Sequence, residues 1–299
     1  MSPTDRRARL DARAIVLVVV CCALWGLNQV ATKLALAEIP PLMQAALRSA
    51  GAALLVAAWA RLRGIRLFEA DGTARAGLAM GLLFALEFGC IFIGLQHTAA
   101  SRMVVFIYLA PFVVALGMPF VARDERLRPA QLAGLAAAFA GVVWAFAEGL
   151  QAPTAGERQW LGDALGVAAA VIWGLTTLTL RGSRLASAAP EKTLLWQLAV
   201  SAVALAAASW AGGETLAAMP GPASLAPLAF QIVVVTFASY LVWFWLLRHY
   251  PATRLSAFTL LTPVFGLLAG VLLLGEPATA QLLVALAAVC AGIALVNRG

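Results

Sequence analysis

Residues 95–111 read LQHTAASRMVVFIYLAP, and residues 247–263 read LRHYPATRLSAFTLLTP. At a shift of 152, without a gap, seven of the 17 positions are identical: Leu95/Leu247, His97/His249, Ala100/Ala252, Arg102/Arg254, Phe106/Phe258, Leu109/Leu261 and Pro111/Pro263. An apolar composition inflates agreement at Leu and Ala, but not at His, Arg and Pro. The two stretches mark an internal duplication. Working outward, Trp25-Gly26 pairs with Trp173-Gly174, Glu125 with Glu276, and Gly141 with Gly292. The chain divides into residues 1–150 and 151–299, each a five-helix repeat.

The material between these marks is apolar. Of 299 residues, 63% are hydrophobic and 12% charged, and the mean hydropathy is +0.91. Soluble domains carry about 25% charged residues, so a soluble enzyme and a disordered chain are both excluded. Each membrane helix needs about 20 apolar residues. Ten such spans are predicted near 14–36, 42–61, 74–95, 101–121, 129–147, 162–181, 193–212, 224–247, 254–275 and 278–297. Polar joints separate them, such as Arg61-Leu62-Arg63-Gly64 and Arg123-Asp124-Glu125-Arg126, and Pro153 and Gly156 break the long central one. The first run extends to about Leu36, too long for the core of a cleaved signal, and is read as a retained span.

Basic residues set the expected orientation. With the N-terminus cytoplasmic, 17 of the 21 Lys and Arg fall on the inner side, and Arg102 and Arg158 on the outer. That bias predicts ten helices with both termini in the cytoplasm. It accounts for the net charge of +7 without nucleic acid as a partner. Cys21, Cys22, Cys90 and Cys290 lie in apolar runs with no CxxC spacing, and are expected to be small core residues. A five-span repeat has an odd number of crossings, so the second copy is expected upside down relative to the first. Inverted repeats of this kind are a transporter design, with the binding site near the bilayer midplane.

Trp25-Gly26-Leu27-Asn28 with Lys33, Arg48, Leu109-Ala110-Pro111-Phe112, Trp173-Gly174, Thr262-Pro263-Val264-Phe265 and Leu274-Gly275-Glu276 follow one another in an order that resembles the drug/metabolite transporter superfamily. The resemblance is to its ten-helix EamA-type exporters and covers about residues 14–297. Within them the chain resembles the YddG-type exporters of aromatic amino acids. The first half departs from the pattern where Ala122-Arg123-Asp124-Glu125 stands in place of Leu-Gly-Glu. The resemblance implies export of amino acids and related metabolites through a bacterial-type inner membrane.

Candidate site residues follow from their position within spans. Pro111 and Pro263 are matched mid-span prolines that kink helices, and paired interruptions point to a transporter site. A static packing kink is the alternative. Glu87 lies mid-span, where a carboxylate costs about 2.5–3.5 kcal/mol on insertion scales. It binds a substrate ammonium, carries a proton, pairs with Lys33 or Arg48, or stays a neutral buried acid. Its repeat counterpart is Ser239. Trp25, Asn28 and Thr32 share a face of the first span, and Trp173, Thr176 and Thr177 the matching face of the sixth. Gln197, Tyr240 and Tyr108 join them as substrate-binding candidates, with Phe84 and Phe88 as aromatic walls. Helix gluing is the alternative for the hydroxyls and amides. Arg48, in the outer half of the second span, could hold a carboxylate or snorkel towards the headgroups, and is read as a structural or gating residue. Gly134, Ala138 and Gly141, and Ala285, Ala288 and Gly292, are read as packing surfaces rather than a dimer contact. Trp160 and Trp210 are expected as interfacial anchors.

No GxxxxGK[ST] loop is present, so ATP hydrolysis by this chain is disfavoured. No cofactor or metal is expected, and no catalytic cluster. The expected partners are a small-molecule substrate and the lipid bilayer, with the chain a monomer and a homodimer as the alternative. The leading expectation is alternating-access export of amino acids, with multidrug or cation efflux as the second reading.

Overall fold

The computed structural model describes residues 11–297, apart from 68, 70, 122–128, 152, 251–254, 256–257 and 260. Among the described residues every regular element is a helix. These are α1 (Ala12–Ala35), α2 (Pro41–Leu62), α3 (Ala74–Gly94), α4 (Ala100–Ile107), α5 (Ala110–Val121), α6 (Pro129–Gln151), α7 (Gln159–Arg181) and α8 (Pro190–Ala211). They continue with α9 (Pro222–Ala229), a π-helical stretch (Phe230–Ser239), α10 (Tyr240–His249), α11 (Leu261–Leu274) and α12 (Ala280–Asn297). Six stretches, α1, α2, α3, α7, α8 and Pro222–Leu246, are long and apolar enough to cross a membrane. Shorter apolar helices cover Ala100–Val114, Leu261–Leu274 and Ala280–Gly292.

The expected spans fall on these helices to within four residues at each described end, with two differences. The fourth is interrupted at Tyr108-Leu109, just ahead of Pro111. Proline has no N–H to continue the ladder, and Leu109 bonds back only three residues, to Phe106 at 3.1 Å. The eighth widens into a ten-residue π stretch. Pro227 sits inside α9 and removes one N–H from that ladder, and the wider turns follow it. The start of the ninth span lies outside the described residues, as do Glu125, Arg254 and the Arg123–Arg126 joint.

Local chemistry sets the helix ends. Pro41, Pro190 and Pro222 each open a helix at its first residue, where a missing N–H costs nothing. Helices α2 and α8 close alike. Gly64 and Gly213 adopt φ of 65° and 68°, the left-handed turn that favours glycine. The next N–H returns to the helix, Ile65 to Ala60 at 2.9 Å and Glu214 to Ser209 at 3.0 Å.

The bundle is held by contacts between the halves, and these come in exchangeable pairs. Helix α2 packs on α8, and α6 on α12. The packing of α1 on α11 has its mate in α7 on α4 and α5. The packing of α3 on α7 has its mate in α9, the π stretch and α10 on α1. Small residues permit the closest approaches. A Cβ on Gly26 would lie 2.6 Å from the Gly266 backbone nitrogen, and one on Gly174 would lie 2.5 Å from Val113. Gly141 meets Ala288 and Ala285, and Gly292 meets the Gly134 carbonyl. The small faces of α6 and α12 thus cover each other within one chain.

Apolar side chains line much of the outer surface, with Leu54, Val203 and Leu272 each more than 70% exposed. Trp160 and Trp210 are exposed near helix ends, as interfacial anchors are. At the end of the bundle holding the α2–α3 connection, Lys192 Nζ binds Asp71 at 2.7 Å and the Glu69 carbonyl at 3.1 Å. The hydrogen bond from Lys192, with a second from Thr73, holds the Asp71 carboxyl well below the usual carboxylate range.

The Gly26 contact is backbone against backbone and cannot relax by rotamer change. Gly26→Val is expected to cost about 1–3 kcal/mol of stability. Gly89→Ala, where the nearest side chains lie 3.6 and 3.7 Å from the added Cβ, should be neutral or slightly stabilising. Thermal unfolding of both variants in detergent checks the ordering.

Candidate functional site

Two polar constellations stand out within the apolar bundle. The first lies at the end that holds the α3–α4, α6–α7 and α11–α12 connections. Arg102, in the first turn of α4, is almost fully buried. Its Nε lies 3.2 Å from each oxygen of Asp163, its Nη2 2.6 Å from Asp163 Oδ2, and its Nη1 2.9 Å from Glu148 Oε2. It also donates to the Ala145 carbonyl. Thr98 donates to Asp163 at 2.6 Å, and Thr279 to Glu148 at 3.0 Å. One guanidinium thereby ties α4, α6, α7 and the approach to α12.

Beside it, Glu276 accepts from the backbone N–H of Ala100 at 2.7 Å and of Ser101 at 2.9 Å. A carboxylate at a helix N-terminus satisfies orphan donors and complements the dipole. Gly275, at φ 65°, turns the chain so that Glu276 reaches α4. Lys33 Nζ lies 3.5 Å from Glu276 Oε1 and 2.7 Å from the Thr98 carbonyl. Glu214 caps α2 in the same way, accepting from Leu42 at 3.1 Å and Met43 at 2.7 Å. These bonds fasten this end of the bundle. A surface hollow of about 680 Å³ lies here too, walled by residues 36–41, Gln96 and residues 212–215 and 217–219. None of the sequence-predicted site residues lines it.

The second constellation is aromatic and ionic, and both halves build it. Trp25 on α1 stands edge-on to Tyr240 at 6.3 Å and to Trp243 at 5.3 Å, and its Nε1 donates to Ser239 Oγ at 2.9 Å. Tyr108 meets Trp173 edge-on at 5.8 Å. Arg48 on α2 is fully buried, so the snorkelling reading is corrected: its guanidinium lies over Phe88, 3.6 Å from the ring centroid, with Phe92 at 5.4 Å and Phe84 at 5.9 Å. The Tyr240 hydroxyl and Glu87 are its polar neighbours, Tyr240 close enough to interact with the guanidinium directly, and among the described residues no carboxylate or carbonyl oxygen bonds to Nε, Nη1 or Nη2. Glu87 is 5% exposed and its Oε2 has no partner among the described residues. Lys33 is engaged with Glu276, which removes it as a partner for Glu87.

The remaining candidates divide. Asn28 is buried with Oδ1 unpartnered among the described residues. Thr176 and Thr177 return their hydroxyls to the carbonyls of Ile172 and Trp173, a bond within their own helix. Thr32 does the same to Asn28 and reaches Gln231 at 3.3 Å. Gln197 is half-buried on α8. Pro111 and Pro263 are the second residue of α5 and the third of α11. His249 caps its own helix, Nδ1 lying 2.8 Å from the Trp245 carbonyl. Among the described residues no cluster of three metal-ligating side chains occurs. Sequence reasoning missed the Arg102–Asp163–Glu148 network, for which the signal was the Arg102/Arg254 identity.

The profile of the EamA-like transporter family matches residues 12–147 and 160–298. The chain belongs to that family. Like other EamA-like members it is a transporter and a multi-pass membrane protein. It is similar to the uncharacterized transporter YvbV of Bacillus subtilis, 29% identical over 95% of this chain and 92% of that one. It is also similar to a probable amino-acid metabolite efflux pump of Escherichia coli K12, 28% identical over 91% and 89% of the two chains. A solved crystal structure, 24% identical, shares the fold over 96% of both chains with a TM-score of 0.66.

Removing one partner of a buried ion pair costs about 3–5 kcal/mol, because a bare charge remains. Arg102→Met leaves two carboxylates uncompensated and should lower stability by that amount. Asp163→Asn, which leaves Arg102 balanced by Glu148, should cost less. Thermal or denaturant unfolding of the purified transporter gives the order.

Proposed function

We propose that this transporter exports amino acids, aromatic ones included, and related small metabolites across a bacterial inner membrane by alternating access. Its architecture in this reading is ten transmembrane helices in two inverted five-helix repeats, residues 1–150 and 151–299, with both termini cytoplasmic. The exchangeable helix contacts between the halves support the repeat. The observation that carries the functional reading is the convergence of Trp25, Tyr108, Trp173 and Tyr240 with buried Glu87 and Arg48, drawn from both halves. Aromatic faces accept apolar side chains, and the charges address the polar end of an amino acid. The relative named as an amino-acid metabolite efflux pump agrees with this substrate class.

Trp25, Asn28, Glu87, Tyr108, Trp173, Thr176, Gln197 and Tyr240 are the proposed substrate-binding set, and the interruptions at Pro111 and Pro263 the proposed hinges. With the Arg102 end taken as periplasmic, its ion pairs and helix caps form the gate that must open for release. Cation efflux is the weaker reading, because Arg48 beside Glu87 repels a simple cation.

Purified protein in liposomes should move labelled phenylalanine or other members of an amino-acid panel, with a pH gradient revealing any proton coupling. No flux of any amino acid removes the assignment. For topology, a fluorescent protein fused at the C-terminus should fluoresce, and alkaline phosphatase inserted near Glu214 should be active. The reverse pattern contradicts the orientation.

A further inference from the structure

We infer that Arg48 binds the carboxylate of the transported solute and that Glu87 faces its ammonium, so that the central site selects zwitterions. This deepens the amino-acid reading above and rests on it. The guanidinium is fully buried with the Tyr240 hydroxyl beside it, and among the described residues no carboxylate or carbonyl oxygen bonds to Nε, Nη1 or Nη2. A buried charged group without partners is costly, and the few unpartnered polar atoms in native proteins call for an explanation. Arg102 shows how this chain treats a buried guanidinium that it neutralises internally. It is surrounded by two carboxylates and a carbonyl. Arg48 receives none of these.

The geometry leaves Arg48 ready for an anion. Phe88 covers the face of the guanidinium at 3.6 Å, a stacking contact that uses its π surface. The N–H donors lie in the guanidinium plane, and one hydroxyl, that of Tyr240, occupies at most one of the five, which leaves donors for the bidentate carboxylate pairing to which the fork is suited. Glu87, one helix away, does not reach it, and its Oε2 is unpartnered among the described residues. Two opposite charges held near each other but unjoined complement a solute with the reverse pair. A cation alone leaves Arg48 opposing it, and an anion alone leaves Glu87 opposing it. The second half supplies no matching charges. Counting seven residues from the prolines that open α2 and α8, Arg48 corresponds to Gln197, and the counterpart of Glu87 is Ser239. The first half therefore fixes which end of the solute points where, and the Trp25, Tyr240, Tyr108 and Trp173 rings are left for its side chain.

The test is competition against labelled phenylalanine or leucine flux in proteoliposomes. Competitors are the unlabelled amino acid, its α-amide, its decarboxylated amine and its deaminated acid. In the wild type, each change that removes one charge should weaken competition about tenfold or more, the loss of a charge-assisted hydrogen bond. Arg48→Gln should weaken the amino acid and leave the amide nearly unchanged, collapsing the preference for acid over amide. Arg48→Lys should restore part of that preference. Glu87→Gln should collapse the preference for amino acid over deaminated acid. A merely structural Arg48 would lower flux of all competitors alike and leave the ratios intact, and that result overturns the proposal. An amide that competes as well as the acid in the wild type overturns it without any variant. If the wild type carries amino acids but the ratios do not respond to Arg48, this inference falls and the export reading stands. If it carries only cations lacking a carboxylate, both fall.

Discussion

Hydrocarbon offers a buried charge no hydrogen bonds, so each ionised group in this bundle needs a partner from the protein or from the solute. The chain answers that requirement in two ways. At one end, Arg102, Asp163 and Glu148 satisfy one another, and Glu276 and Glu214 direct their charge at helix N-termini. Between the halves, and among the described residues, Arg48 has the Tyr240 hydroxyl beside it but no carboxylate or carbonyl bonded to it, and Glu87 Oε2 has no hydrogen-bond partner. The same constraint thus yields a fastened end and a responsive interior. A carrier needs both, because a site that is already neutralised gains nothing when solute arrives, and an end without restraint does not hold a state.

The scaffold that permits this is made of close helix contacts between the two halves. Gly26 against Gly266, and Gly174 against Val113, bring α1 to α11 and α7 to α5. Those approaches place Trp25 and Trp173, each next in sequence to its glycine, beside the rings of Tyr240 and Tyr108. Both Trp-Gly pairs do the same job: the small residue sets the distance, and the large one fills the space that the approach defines. Breaks in the helices fall close to these aromatics, at Tyr108-Leu109 and in the π stretch that ends at Ser239. Unwound or widened backbone next to the proposed binding groups is where a helix bends at least cost.

Much of the helix plan was legible because apolar runs and Pro or Gly punctuation are local signals. The starts of α2 and α8 at Pro41 and Pro190 follow directly from proline's missing N–H. The π stretch was less legible: Pro227 marks a break in the preceding ladder, but Phe230 to Ser239 holds no Pro or Gly of its own to announce wider turns. The aromatic convergence was partly legible, since Trp25-Gly26 and Trp173-Gly174 are matching pairs in the sequence, whereas Tyr108 stands opposite Leu260 and Tyr240 opposite Phe88. For Arg48, sequence gives depth along a helix but not which way a side chain turns, so carboxylate binding, a structural or gating role and snorkelling all stay open, and its burial over Phe88 removes only the last. The Asp163–Arg102 pairing spans 61 residues, and nothing local announces it.

The most direct measurement is the position of a bound amino acid in the wild-type transporter reconstituted in lipid, seen by electron cryo-microscopy. Zwitterion binding at the centre predicts the solute between the halves, with its carboxylate within hydrogen-bond reach of Arg48 and its side chain against Trp25 or Trp173. Solute found only in the surface hollow between residues 36–41 and 212–219, with the Arg48 guanidinium untouched, would contradict it.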